Sequence, residues 1–65
     1  MIYAVPSTLR CHHLTALLLS RSQSENPSLT FSDTFSQRVY RTIYEIWEQN
    51  GEQEAERYAR EARMR

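Results

Sequence analysis

Apolar side chains recur at helical spacing in two stretches of the chain. Between Phe35 and Trp47 they return every three or four positions, so they share one face of a helix. An earlier cluster of leucines has the same spacing. The pattern predicts an all-α protein in which two main helices pair as a hairpin. The predicted core, which is also the predicted oligomer interface, consists of Leu14, Leu17, Leu18, Phe35, Val39, Ile43, Ile46 and Trp47.

The first predicted helix follows a short arm. Residues 1–7 favour an extended conformation, because β-branched and aromatic side chains precede Pro6, and proline disfavours helix in the residue before it. Ser7 can then cap a helix predicted to span Thr8–Ser20. Further apolar side chains are spread around this helix, which favours cover on more than one side. They are Leu9, Ala16 and Leu19.

A polar connection leads to the second helix. Residues 21–31 are rich in Ser, Gln and Asn and include Pro27, which is typical of a loop. Ser32 can cap a second helix over Asp33–Asn50. Gly51 is the only glycine in the chain, and glycine readily adopts the positive φ angles that end helices. We therefore expect a break or bend at this residue.

The segment Glu52–Arg65 resumes a helical pattern with small apolar residues and dense charge. A stripe of alanines permits close approach of another helix, and one tyrosine offers a large anchor. This segment is the predicted partner-binding site, and its deletion is expected to leave the main fold intact. The alternative interpretation is a solvated helix that extends the fold. The candidate partner-binding residues are Tyr58, Arg57, Arg60, Ala55, Ala59 and Ala62.

Length and charge restrict the functional classes. A 65-residue domain buries only about 60% of the surface of its unfolded chain. Domains of this size are therefore often stabilised further by disulfides, a metal or oligomerisation. A single cysteine cannot form an intrachain disulfide, and we therefore predict a homodimeric helical bundle. The eight basic residues are all arginine and balance eight acidic ones, so the net charge is zero. This balance makes nucleic acid a weaker candidate partner than protein, and it argues against a membrane partner.

The chain lacks a recognisable catalytic or metal motif. Cys11, His12 and His13 are adjacent, and neighbouring side chains on a helix project about 100° apart, so the three cannot converge on one ion. We expect Cys11 to pack as a small hydrophobe and both histidines to lie at the helix edge. A single glycine cannot form a phosphate-binding loop, and a hairpin this small encloses little volume. We therefore predict no enzymatic activity, metal, cofactor or small-molecule ligand.

The N-terminal apolar stretch is too short for a signal peptide or a membrane span. The run Leu14–Leu19 is brief, Arg10 lies within the candidate segment, and no small-residue cleavage pattern follows. A transmembrane helix needs about 20 apolar residues. The sequence therefore predicts a protein that acts outside the bilayer.

In its short length, charge balance and helical pattern, the chain resembles the small all-helical accessory proteins of temperate lambda-like bacteriophages. No single residue motif carries this resemblance. It implies a cytoplasmic bacterial protein that regulates host or phage development by binding a host protein. The residues themselves leave a second class open, a small DNA-binding regulator that uses its C-terminal arginines. Four glutamates in the same segment weaken that alternative.

Overall fold

Three helices form the whole regular structure of residues 5–63, the part of the chain that a computed structural model describes. They are α1 (Thr8–Glu25), α2 (Asp33–Asn50) and α3 (Glu52–Glu61). The all-α prediction is confirmed. Residues 1–4 of the predicted arm lie outside the described range, and residues 5–7 are not helical. None of the helices within residues 5–63 is long and apolar enough to cross a bilayer.

Serine side chains begin the two long helices, as the sequence predicts. The Ser7 hydroxyl accepts a hydrogen bond of 3.2 Å from the backbone N–H of Arg10. The Ser32 hydroxyl accepts one of 3.1 Å from the backbone N–H of Phe35. Each bond satisfies an N–H that has no partner within its helix, and both serines have extended backbone angles typical of N-caps.

The first helix extends beyond its predicted end at Ser20 and continues to Glu25, so the predicted loop over residues 21–31 is too long at its start. Tertiary contacts override the weak helix propensity of this polar segment, because Ser22 is only 2% exposed. Asn26 is the C-cap residue that follows the helix, and its N–H bonds to the carbonyl of Ser22. Pro27 follows directly and disfavours helical geometry at Asn26.

Gly51 separates α2 from α3, so the expected break is confirmed. Its φ and ψ angles are 98° and 168°, a region that is essentially restricted to glycine. Its N–H bonds to the carbonyl of Trp47, and its own carbonyl accepts the N–H of Ala55. One residue therefore ends one helix and begins the next.

The third helix ends at Glu61, earlier than the predicted helical segment over residues 52–65. Ala62 has an extended backbone, and the Arg63 guanidinium donates to the carbonyls of Arg60 and Ala62 at 2.8 and 2.9 Å. These bonds satisfy carbonyls that the helix end leaves open. Residues 64 and 65 lie outside the described range.

The predicted core residues meet inside one chain. α3 runs parallel to α1, because Arg10 near the start of α1 contacts Glu56, whereas Glu25 at its end contacts Arg63. Within this one chain, α3 supplies the cover for which a second chain was predicted, and the two-chain assembly stays a prediction. The buried core consists of Cys11, Leu14, Leu18, Val39, Ile43, Trp47, Ala55 and Ala59.

Three other predicted core residues are less buried. Phe35 and Ile46 are partly buried and pack against the edge of the core. Leu17 is 43% exposed, because a helix of 3.6 residues per turn rotates it away from the core side of Leu14 and Leu18. Among the predicted core residues, Leu17 is therefore the one whose side chain remains exposed to another protein.

Candidate protein interface

The side of α1 opposite the core carries exposed aliphatic residues. Leu9 is 78% exposed and Leu17 is 43% exposed, although the other leucines of this helix are buried or partly buried. These positions follow from helical geometry, since Leu14 and Leu18 occupy the opposite side. We call this surface the outer face of α1. It comprises the exposed residues Leu9, His13, Ala16, Leu17 and Ser20.

The formally charged side chains of α1 are directed toward α3 and away from the outer face. Arg10 donates to Glu56 through Nη2 and Oε1 at 2.7 Å. Glu25 accepts from Arg63 at 2.9 and 3.0 Å. Arg21 donates to a backbone carbonyl of α3. The outer face consequently presents only apolar, small or imidazole side chains, in a chain of which 25% is charged.

The ion pair between Arg10 and Glu56 also affects proton binding. The hydrogen bond and the charge of Glu56 raise the pKa of Arg10 above its ordinary value. The guanidinium therefore stays charged at any physiological pH. Because both side chains are substantially solvent-exposed, the pair orients α3 beside α1 more than it stabilises the fold.

A shallow groove of about 350 Å³ borders the outer face on the side of α3. Leu14, which is 4% exposed, belongs to its wall and connects it to the core. Side chains of α3 with opposite charges complete the opposite wall. The groove is lined by Arg10, His13, Leu14, Leu17, Glu56 and Arg60.

A larger groove of about 520 Å³ lies between α1 and α2. The ring of His12 packs on Tyr40 with centroids 4.4 Å apart, and Tyr40 lies 6.1 Å from Tyr44. Desolvation and the neighbouring Cys11 and Tyr44 raise the pKa of Tyr40, so its hydroxyl stays protonated. Polar groups complete the lining. They are Thr15, Ser36, Gln37 and Arg41.

The predicted partner-binding residues of α3 divide into two groups. Ala55 and Ala59 have no exposed surface, because they pack against α1 and α2, and their assignment to partner binding is wrong. The same burial argues against the expectation that α3 can be removed without loss of the fold, because both alanines belong to the core. The remaining members are at least partly accessible. They are the partly buried Tyr58 and Ala62 and the exposed Arg57 and Arg60.

The accessible residues of α3 do not form a basic surface. Nη1 of Arg57 lies 3.6 Å from Oε1 of Glu54, and its Nε lies 3.7 Å from Oε1 of Glu61. The charge of Arg57 is therefore balanced locally. Arg63 is paired with Glu25. Tyr58 and Ala62 line a groove of about 440 Å³ that also contains Ile46, Glu54 and Glu61. These pairings reduce the number of cations that could contact phosphates.

Cys11 and the two histidines lie on different sides of α1. Cys11 is fully buried, as predicted for a packing residue, and burial raises the pKa of its thiol. His12 and His13 are exposed, His12 facing α2 and His13 lining the groove toward α3. Within residues 5–63, no group of three His, Cys, Asp or Glu side chains could hold a metal ion.

Of the outer face, only Leu17 belonged to the predicted interface; its other residues were missing from the predicted site, although the sequence contained their signal. Leu9 and Ala16 depart from the stripe of Leu14 and Leu18, and this wide apolar distribution favours cover on a second side. Comparisons with protein-family models, curated proteins and solved structures find no match. Functional inference consequently depends on the surface itself.

Proposed function

We propose that this chain is a non-enzymatic module that binds another protein through the outer face of α1. The supporting observation is the exposure of Leu9 and Leu17 on a face from which all formally charged side chains of α1 are turned away. Single exposed leucines are common on protein surfaces. Two leucines on one helical face beside a groove are typical of helix-in-groove recognition.

The resemblance to phage accessory proteins supports a regulatory setting for this interaction. In the proposed role, the chain acts in the bacterial cytoplasm and alters host or phage development by occupying a surface of a regulator. Helical modules of this size can act in this way without chemistry, because contact alone excludes a competing partner. The competing hypothesis is DNA binding through the C-terminal arginines. The local pairing of Arg57 and Arg63 with glutamates argues against it.

The proposal is tested by affinity capture from bacterial lysate and by self-association of the purified chain. We compare the wild type with the double variant Leu9→Ser and Leu17→Ser. Both positions are solvent-exposed, so the variant should keep its helicity while it loses the associated protein. Val5→Ser is the matched control, because Val5 is 78% exposed but lies outside α1.

The proposal would be refuted if the double variant captured the same lysate proteins as the wild type and also self-associated to the same extent. A mobility-shift assay with random duplex DNA at low salt tests the competing hypothesis. A shift that weakens when Arg60 is replaced by Gln would favour DNA binding. We expect no shift, since the net charge of the chain is zero.

A further inference from the structure

Three aromatic rings follow one another along the groove between α1 and α2. The ring centroids of His12 and Tyr40 lie 4.4 Å apart with 30° between the planes, and those of Tyr40 and Tyr44 lie 6.1 Å apart with 35° between them. The two tyrosines are four residues apart on α2, so they share one side of that helix. We call His12, Tyr40 and Tyr44 the aromatic wall. Rings of this kind offer a stacking surface to another planar ring.

Hydrogen-bond donors that the fold does not use lie beside the aromatic wall. Ser36, Gln37 and Arg41 line the same groove. Arg41 is exposed and forms no ion pair with another residue of the range 5–63. Glu45, one helical turn further along α2, is not paired with Arg41 and does not line the groove. The guanidinium can therefore bind an anion in the planar fork geometry that matches a carboxylate or a phosphate.

Charge distinguishes this groove from the two smaller ones. Arg60 is also without an ion pair among the described residues, but it shares its groove of about 350 Å³ with the carboxylate of Glu56. The groove of about 440 Å³ beside Tyr58 contains the carboxylates of Glu54 and Glu61. The described lining of the groove of about 520 Å³ contains an arginine and no carboxylate. Its volume also lies within the range of about 300–1,000 Å³ that is typical of small-molecule sites.

We propose that this groove binds a small planar aromatic anion, with the ligand ring against the aromatic wall and its negative charge at Arg41. Nucleoside monophosphates and aromatic carboxylates share this chemistry. The sequence led to the opposite expectation of no small-molecule ligand, because the groove combines side chains of two helices whose packing the sequence did not specify. The site goes beyond the proposed function and lies on a different side of α1, since His12 faces α2.

Isothermal titration calorimetry of the full chain tests the ligand class. The probes are adenosine monophosphate, naphthoate, adenosine and inorganic phosphate. At least one of the first two, which carry both a ring and a negative charge, should bind with a Kd of about 1 mM or tighter. Adenosine and inorganic phosphate each lack one of these features and should bind at least about tenfold more weakly. The tighter of the two aromatic anions identifies phosphate or carboxylate as the preferred charged group.

Two matched pairs of variants locate the site. Arg41→Gln should weaken binding at least about tenfold, because it removes the cation. Arg38→Gln is the control, since Arg38 is equally exposed and unpaired within residues 5–63 but does not line the groove. His12→Ala should weaken binding about fivefold or more through the loss of one stacking ring, whereas His13→Ala, on the side of α3, should not. All four positions are exposed, so circular dichroism should show wild-type helicity for every variant.

NMR of the backbone amides gives the position of the bound probe. On titration, the signals of Ser36, Gln37 and Arg41 should shift, whereas those of Ala55 and Ala59 in the core beneath α3 should not. The double serine variant of the outer face should retain the wild-type Kd. Ligand binding therefore stands or falls separately from the proposed protein interaction.

Several results would overturn the proposal. It is wrong if neither aromatic anion binds, or if adenosine or inorganic phosphate binds as tightly as both of them. It is also wrong if Arg38→Gln weakens binding as much as Arg41→Gln, because the cation would then act through general charge alone. Amide shifts confined to α3 would place the ligand elsewhere and refute the assigned groove.

Discussion

Replacement of Gly51 by alanine should destabilise the protein, although the same change stabilises most helices. Gly51 has a φ angle of 98° and a ψ angle of 168°. A side chain in this region costs about 1–3 kcal/mol. Alanine also has less conformational freedom than glycine in the unfolded chain, and this difference offsets about 0.4–1 kcal/mol of the cost. A Cβ atom at Gly51 would have no heavy atom within 4 Å, apart from its chain neighbours, so no steric clash adds to the cost. We expect a net loss of about 1–2 kcal/mol in the free energy of unfolding.

Urea and thermal denaturation followed by far-UV circular dichroism measure this loss. For a domain of this size, each kcal/mol lowers Tm by about 4–8 °C, so Gly51→Ala should melt about 5–15 °C below the wild type. Gln49→Ala is the matched control, because Gln49 is exposed on α2 and should change stability by less than about 0.5 kcal/mol. All variants are compared at one protein concentration, since self-association would contribute to the apparent stability.

The sign of the change distinguishes a broken helix from a continuous one. In a continuous helix, alanine would be about 1 kcal/mol better than glycine. A Gly51→Ala variant as stable as the wild type, or more stable, would therefore refute the break. Gly51→Asn adds a second criterion, because asparagine tolerates the left-handed helical region but not the region found here. It should be as unstable as the alanine variant.

Three further predictions concern the packing of the helices. Deletion of residues 52–65 should abolish cooperative unfolding, because Ala55 and Ala59 complete the core. A truncated chain whose thermal melting matches that of the wild type would contradict this role. Ala59→Leu should lower the free energy of unfolding by about 1–3 kcal/mol in urea titrations, since the site has no free surface, and an unchanged midpoint would indicate spare volume. Cys11 should react with a disulfide reagent far more slowly in the folded protein than in urea. Equal reaction rates in the folded protein and in urea at pH 8 would refute the burial of the thiol. Burial raises the pKa of Cys11, and the resulting contribution to stability is fully present below the ordinary thiol value of 9.0. This contribution is lost as pH rises through the pKa of the folded state.

Local chemistry explains which parts of the fold could be predicted. Ser7 and Ser32 act on backbone groups three residues away, and Gly51 acts through its own φ angle. These features do not depend on the rest of the chain, so the sequence alone predicts all three. The end of α1 depends on distant residues, since Arg21 bonds to α3 and Glu25 bonds to the residues that follow it. Helix propensity is a local property, so it cannot predict those contacts.

The orientation of α3 shows a different limit of sequence-based inference. A stripe of alanines permits close approach by any helix, whether from the same chain or from another. Choosing between them requires the direction in which Gly51 turns the chain, and the identity of that residue does not specify it. Burial of Ala55 and Ala59 decides the question in favour of the same chain. The sequence places Leu9 outside the main apolar stripe, but its exposure is visible only when the three helices are packed together.

The single-residue joint at Gly51 has a consequence for insertions and deletions. One residue added to a helix rotates all later positions by about 100° and advances them by about 1.5 Å. At this joint, such a shift would turn Ala55 and Ala59 away from the core. Between Glu25 and Asp33, the longer connection can absorb added residues on the surface. Length variation in related chains should therefore accumulate between α1 and α2, whereas the spacing from Trp47 to Ala55 should stay constant.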